Sequence, residues 1–141
     1  MAIMNFETGG SFCPRQLNGA GSGAIGLIQF MPATAAALGT TTDALAKMDD
    51  LQQLGFVEAY FRKAPKPLNT LSNLYMAVLW PAAVGKPEDY VMFRKSDPAC
   101  PKLYIQNRGL DYNGDGVITK AEAAARVAAS LAEGEKPENV A

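Results

Sequence analysis

The sequence predicts a mostly α-helical chain folded as a single domain. Three observations lead there. Apolar residues fill 48% of the 141 positions, enough to bury one core. Several stretches carry apolar residues at helical spacing behind a Thr, Asp or Pro that suits a helix start. Glycines and prolines fall between those stretches, where the chain must turn.

Residues 2–8 read as a helix stopped by Gly9-Gly10, entered through an apolar run at Met1–Phe6 with no cap before it. Such an abrupt start fits either a true beginning or a chain cut from something longer. Residues 9–23 hold five glycines with Pro14 and Asn18, and read as a loop. Residues 24–30 read as a short strand or an extended turn. Pro32 suits the first turn of a helix through Leu38, which Gly39 stops. Thr42 or Asp43 can cap a short helix over 44–48. Asp49 or Asp50 can cap the next, over 51–63, with Leu51, Leu54, Phe56, Val57, Tyr60 and Phe61 on its packed face and Pro65 and Pro67 beyond it. Thr70 can cap an apolar helix whose Leu71, Leu74, Tyr75, Val78 and Leu79 face the core, and Pro81 kinks or ends it. Pro87-Glu88-Asp89 opens a short helix to Phe93, residues 95–110 read as irregular, and a last helix runs from Thr119 to about Leu131. The boundaries that follow are a core over 1–95, a C-terminal loop and helix over 96–132 packed on it, and a flexible polar tail over 133–141.

Composition removes several classes of function. Net charge is −1 and no basic run exists, which argues against a nucleic-acid partner. Only 19% of residues are charged, as in a body with largely neutral surfaces. The absence of histidine excludes Ser-His-Asp and Cys-His catalysis and histidine-based zinc sites. Cys13 and Cys100 read as two separate thiols or as one disulfide closing a long loop. No basic residue precedes Glu7, so the first residues do not read as a secretory signal. The uncharged stretch Leu68–Gly85 contains Asn69, Asn73 and Pro81 and reads as a core helix, not a membrane span.

Residues 111–122 match the twelve-residue EF-hand calcium loop at each diagnostic position. Asp111, Asn113 and Asp115 stand at positions one, three and five. Gly116 permits the sharp turn at six, and Val117 offers its carbonyl at seven. Thr119 stands at nine, where ligation runs through water, and Glu122 at twelve can bind with both oxygens. A hard cation needs such a cage of oxygens. The expected cofactor is therefore structural Ca2+, although the turn can also keep this shape without metal. With no second loop, the reading is a clip, not a cooperative sensor.

Assigning Asp111, Asp115 and Glu122 to the loop leaves eleven of the fourteen carboxylates. Asp43, Asp49 and Asp50 read as caps, Glu88 and Asp89 as first-turn acids, Glu58 as solvent-facing, Asp97 as a loop residue, and Glu133, Glu135 and Glu138 as tail. Glu7 differs, because it follows Ile3, Met4 and Phe6 and precedes glycines. Position alone leaves it either a surface glutamate at a helix end or a half-buried general acid with a raised pKa.

Glu7-Thr8-Gly9-Gly10, followed by Gly26-Leu27-Ile28-Gln29-Phe30-Met31-Pro32-Ala33-Thr34, resembles the lytic transglycosylase domain of the soluble (SLT) type, which shares its fold with goose-type lysozymes. The wording is most similar to phage tail-associated and endolysin versions, and the likeness covers roughly residues 1–85. It implies a lysozyme-like fold and a muramidase that cuts the β-1,4 bond between N-acetylmuramic acid and N-acetylglucosamine. It implies Glu7 as the general acid/base, and Gln29, Phe30, Met31, Thr8 and Tyr75 as substrate-binding residues. Thr8 stands where the family usually has Ser. Leu74-Tyr75-Met76-Ala77 supplies the Tyr of a family Ala-Tyr-Asn motif without its Asn, so Tyr75 reads equally as a core residue. Neither the residues nor the resemblance names a second catalytic carboxylate.

The partners implied are peptidoglycan glycan strands, with no membrane span. The setting implied is the bacterial periplasm or cell wall, reached as part of a phage tail or lysis apparatus. Three other readings compete: a hydrolytic lysozyme, a non-catalytic peptidoglycan-binding or structural phage module, and a calcium-responsive interaction protein.

Overall fold

A computed structural model describes residues 1–139. Val140 and Ala141, the end of the expected flexible tail, lie outside the described residues. Helices form most of the regular structure, and the one sheet among the described residues has two strands. The chain divides into two compact units, one of Met1–Ala64 and one beginning at Pro65. The division falls between Ala64 and Pro65.

In the first unit, α1 (Ala2–Glu7) buries Ala2, Ile3 and Met4 and ends where Gly9 and Gly10 take positive φ. A long loop follows, and its end folds back as a tight bend in which Ile25 and Phe30 exchange backbone hydrogen bonds of 3.1 and 2.8 Å. This bend stands where the sequence suggests a strand or an extended turn. Then come α2 (Pro32–Ala37), with Pro32 at its start, and α3 (Thr42–Leu45), capped by Thr41. In α4 (Asp50–Lys63) the Asp49 carboxylate accepts from Gln52 N–H while the Gln52 side chain accepts from Asp49 N–H, a reciprocal cap. Lys63 Nζ donates to Ala37 O at 3.0 Å and so closes the end of α2.

The packed face of α4 is only partly the expected one: Val57 is buried and Phe56, Tyr60 and Phe61 are half-buried, but Leu51 and Leu54 are exposed. Leu51 is 75% exposed, whereas Gln53 and Val57, one helical turn apart, are buried. An apolar count misplaces this stripe because its first member is an amide.

In the second unit, α5 (Leu71–Leu79) starts at the Thr70 cap and stops before Pro81, which opens a 3-10 turn over Pro81–Ala83. Its buried residues are Asn73, Tyr75, Met76 and Ala77. Leu71, Leu74, Val78 and Leu79 are only half-buried, against expectation.

The helix expected over 87–93 is absent, and β1 (Val91–Arg94) stands there instead. It pairs antiparallel with β2 (Val117–Thr119), matching Phe93 to Ile118 and Arg94 to Val117. The backbone just before β1 serves the next helix. Tyr90 O accepts from Lys120 N–H and Glu88 O from Ala121 N–H, both at 2.9 Å, which satisfies first-turn amides of α7 (Lys120–Gly134).

Residues 95–110 are not irregular throughout. They contain α6 (Pro101–Asn107) and a 3-10 turn over Arg108–Leu110, with Pro101 opening α6 where it reads in sequence as a breaker. The Thr119–Glu122 cap of α7 forms as its spacing predicts, and α7 runs three residues past Leu131, with a 3-10 turn at Pro137–Asn139. α7 packs on α5. No helix of the described residues is long and apolar enough to cross a membrane.

Candidate active site and metal loop

Glu7 is the last residue of α1 and is half-buried. Burial alone pushes its carboxyl up from 4.5 to about 7, because a charged carboxylate loses hydration there with no cation to replace it. Thr8 fixes this corner. It is buried, its hydroxyl donates to Met4 O at 2.7 Å, and its oxygen accepts from Phe12 N–H at 2.9 Å. The hydroxyl is thus spent within the turn, and Thr8 shapes the Glu7 corner where the resemblance suggested a substrate contact. Gly10 N–H closes the same corner on Asn5 O at 2.7 Å.

The bend from Ile25 to Phe30 carries Gln29 in the left-handed region, with φ +52°. A non-glycine residue there is strained and needs support. Both amide protons of Gln29 go to the backbone, to Gln16 O at 3.0 Å and Gly26 O at 3.2 Å. Its Oε1 accepts no hydrogen bond among the described residues. Phe30 does not form a cleft wall as expected. It is 1% exposed and packs edge-to-face on Tyr60, with ring centroids 6.4 Å apart, so it supports the bend from within. Met31 is exposed and available at the surface. Tyr75 is 2% exposed on α5, the packed alternative of the two open for it.

The loop after α6 folds around its own first carboxylate. Asp111 Oδ1 accepts from Gly114 N–H at 2.8 Å, and Oδ2 accepts from Gly116 N–H at 3.0 Å and from the Tyr104 hydroxyl at 2.6 Å. The Tyr104 hydrogen bond, helped by the backbone amides, holds the Asp111 carboxyl below its ordinary range and raises the Tyr104 phenol. Asn113 Oδ1 accepts from Asp115 N–H, and Asp115 Oδ1 from Val117 N–H, both at 2.8 Å. Gly114 and Gly116 take φ of +74° and +82°, which a side chain would oppose. Thr119 Oγ1 is engaged in the α7 cap, and Val117 and Thr119 bound β2.

Oxygens of Asp111, Asp115 and Glu122 lie within 4.8 Å of one another. Glu122 Oε2 accepts from Thr119 N–H and Oγ1, but the buried Oε1 has no hydrogen-bond partner among the described residues. Such an oxygen is costly unless something else satisfies it. The converging carboxylates and this orphan oxygen fit a hard cation.

Three buried polar residues, Gln53, Asn73 and Lys120, are given no role by any sequence motif, although Lys120 stands within the 111–122 loop. Gln53 on α4 hydrogen-bonds Leu27 N–H, Pro14 O and Leu45 O. Its only sequence signal is its one-turn spacing from Val57. Lys120 follows Thr119 and is 1% exposed. Its Nζ donates to Asn73 Oδ1 at 2.7 Å and to Lys86 O at 2.6 Å, with Glu88 Oε1 at 3.8 Å. It thereby ties the C-terminal end of the loop to α5. Nothing in the sequence distinguishes it from a solvated lysine. Both cysteines are free thiols.

No family model, no curated protein and no solved structure matches the chain.

Proposed function

We propose that this protein cleaves peptidoglycan glycan strands as a lytic transglycosylase, with Glu7 as its one general acid/base. The observation that carries the reading is the Glu7 carboxyl, held by burial alone at about 7. A general acid working near neutrality needs such a value. In its acid form Glu7 donates a proton to the glycosidic oxygen between N-acetylmuramic acid and N-acetylglucosamine. As carboxylate it then takes a proton from the C6 hydroxyl of the muramic residue, whose oxygen closes on C1 to give a 1,6-anhydro end. This route needs no second carboxylate, whereas a two-carboxylate glycosidase needs one about 5–10 Å away. Gln29, through Oε1, and the exposed Met31 are the substrate contacts this reading favours.

The same proposal includes Ca2+ in the 111–122 loop, held by Asp111, Asn113, Asp115, the Val117 carbonyl and Glu122, with Thr119 acting through water. The cation supplies charge neutralisation and cross-linking of the loop, and no catalytic step passes through it.

Digestion of purified peptidoglycan followed by mass spectrometry tests the function. The expected products carry 1,6-anhydromuramic ends, and Glu7→Gln releases none. Reducing ends would identify the hydrolytic lysozyme. Undigested glycan with wild-type protein, or equal release by Glu7→Gln, would overturn the catalytic assignment and favour a binding module.

A further inference from the structure

Gln53 belongs to α4, outside the sequence motifs of the candidate active site, and it is completely buried. Its amide is fully committed. Oε1 accepts from Leu27 N–H at 2.7 Å, and the two Nε2 protons go to Pro14 O at 3.0 Å and Leu45 O at 3.1 Å. One side chain therefore joins the glycine-rich loop, the end of α3 and the Ile25–Phe30 bend. An unpaired polar group in such a place is costly, and complete satisfaction makes the arrangement specific.

The bend is built against this amide. A Cβ on Gly26 would overlap the Gln53 side-chain oxygen, and Gly26 has φ +85°, so glycine is required twice over. Leu27 N–H, fixed by Gln53, is the first amide beyond Gly26. At the far side of the bend Gln29 holds its strained φ, donating back to Gly26 O. Displacing Gly26 and Leu27 therefore displaces the carbonyl that orients the Gln29 side chain.

We infer that Gln53 is the positioning residue for the substrate-binding bend: through Leu27 and Gly26 it aims the Gln29 Oε1 as an acceptor for a sugar hydroxyl or acetamido N–H. This rests on the peptidoglycan reading of the Glu7 site.

The test compares wild type, Gln53→Met, Gln53→Glu, Gln29→Ala and the Gln53→Met/Gln29→Ala double variant. Steady-state kinetics on soluble glycan strands and amide hydrogen exchange are measured for each. Gln53→Met keeps the volume and removes all three hydrogen bonds. It is expected to raise KM about tenfold, leave the pH dependence set by Glu7 unchanged, and speed exchange at Leu27 at least tenfold. Gln29→Ala should raise KM similarly, and the double variant should be no worse than either single one. Gln53→Glu, whose acid form keeps the acceptor and one donor, should fall between wild type and Gln53→Met, and it carries the test where Gln53→Met does not fold. A variant that loses only active fraction at unchanged KM, or multiplicative effects of Gln53 and Gln29, would overturn the positioning role alone. Wild-type protein that neither cleaves nor binds glycan overturns the peptidoglycan reading, and with it the ligand assigned to the bend.

Discussion

Replacing Glu7 with glutamine probes the burial of its carboxyl without any assay of activity. Desolvation raises the folded-state pKa from 4.5 to about 7. Each pH unit of displacement is worth about 1.4 kcal/mol, so the ionised carboxylate destabilises the fold by about 3 kcal/mol. Below pH 4.5 both folded and unfolded chains hold the proton, and this term vanishes. Between 4.5 and 7 the unfolded chain ionises while the folded chain stays protonated, so wild-type stability falls as pH rises. Above 7 both forms are ionised and the loss levels out. Glutamine carries no charge at any pH. Urea unfolding of both proteins from pH 4 to 9 should therefore show a gap that opens in favour of Glu7→Gln between 4.5 and 7 and then stays at about 3 kcal/mol. A gap independent of pH, or one that opens in favour of the wild type, would refute the desolvated carboxyl. In the enzyme reading the same proton is the one donated, so kcat/KM should fall as pH rises through 7.

Three further outcomes are expected. Lys120→Met leaves Lys86 O without its Nζ donor and should destabilise the protein by about 1–3 kcal/mol in urea unfolding; an unchanged midpoint would show that the buried ammonium contributes nothing net. Adding Ca2+ to metal-free protein at a hundred times its Kd should raise stability by about 2.7 kcal/mol, and calorimetry should show one site; no change in Tm would remove the cation from the loop. Glu122→Gln keeps an acceptor for the Thr119 cap while removing one of three mutually repelling charges, so its metal-free Tm should be no lower than that of wild type and its response to Ca2+ should shrink; equal responses would sink Glu122 as a ligand.

How much of this the sequence discloses depends on whether the deciding partner is near in the chain. Some helix starts are legible locally: the Asp49, Thr70 and Thr119 caps form with the hydrogen bonds their spacing implies, whereas α3 is capped by Thr41 and not by the expected Thr42 or Asp43. Ile118 is fully buried, as position eight of its loop predicts. The segment 87–93 reads as a helix because Pro87-Glu88-Asp89 is a good local start. Its fate is settled by β2 and by the α7 amides, both far along the chain from it. Gln53 and Lys120 were missed for the same reason. A buried amide or ammonium is identified by its acceptors, and these lie at Pro14, Leu27 and Leu45 for one and at Asn73 and Lys86 for the other. Glu7 is only half legible: its contiguous environment, an apolar helix end before glycines, leaves a surface glutamate and a half-buried acid both open, and the fold buries it.

The candidate cation loop over 111–122 is braced from both sides. Its β2 segment would present unpaired backbone groups if left alone, and β1 supplies the missing ladder from upstream sequence. Tyr104 orients Asp111 from α6, on the incoming side, and Lys120 anchors the outgoing side on Asn73 and Lys86. Three carboxylates held this close repel one another, and the backbone amides at Gly114 and Gly116 offset only part of that repulsion around Asp111. The unpartnered Glu122 Oε1 is where the protein's own donors run out. A loop braced on both sides gains little freedom when empty, so a cation should change its stability far more than its shape. Hydrogen exchange slowed by Ca2+ across β1, β2 and the start of α7, with an unchanged far-ultraviolet circular dichroism spectrum, is the signature of such a clip. A large gain of helix on adding Ca2+ would instead identify a sensor.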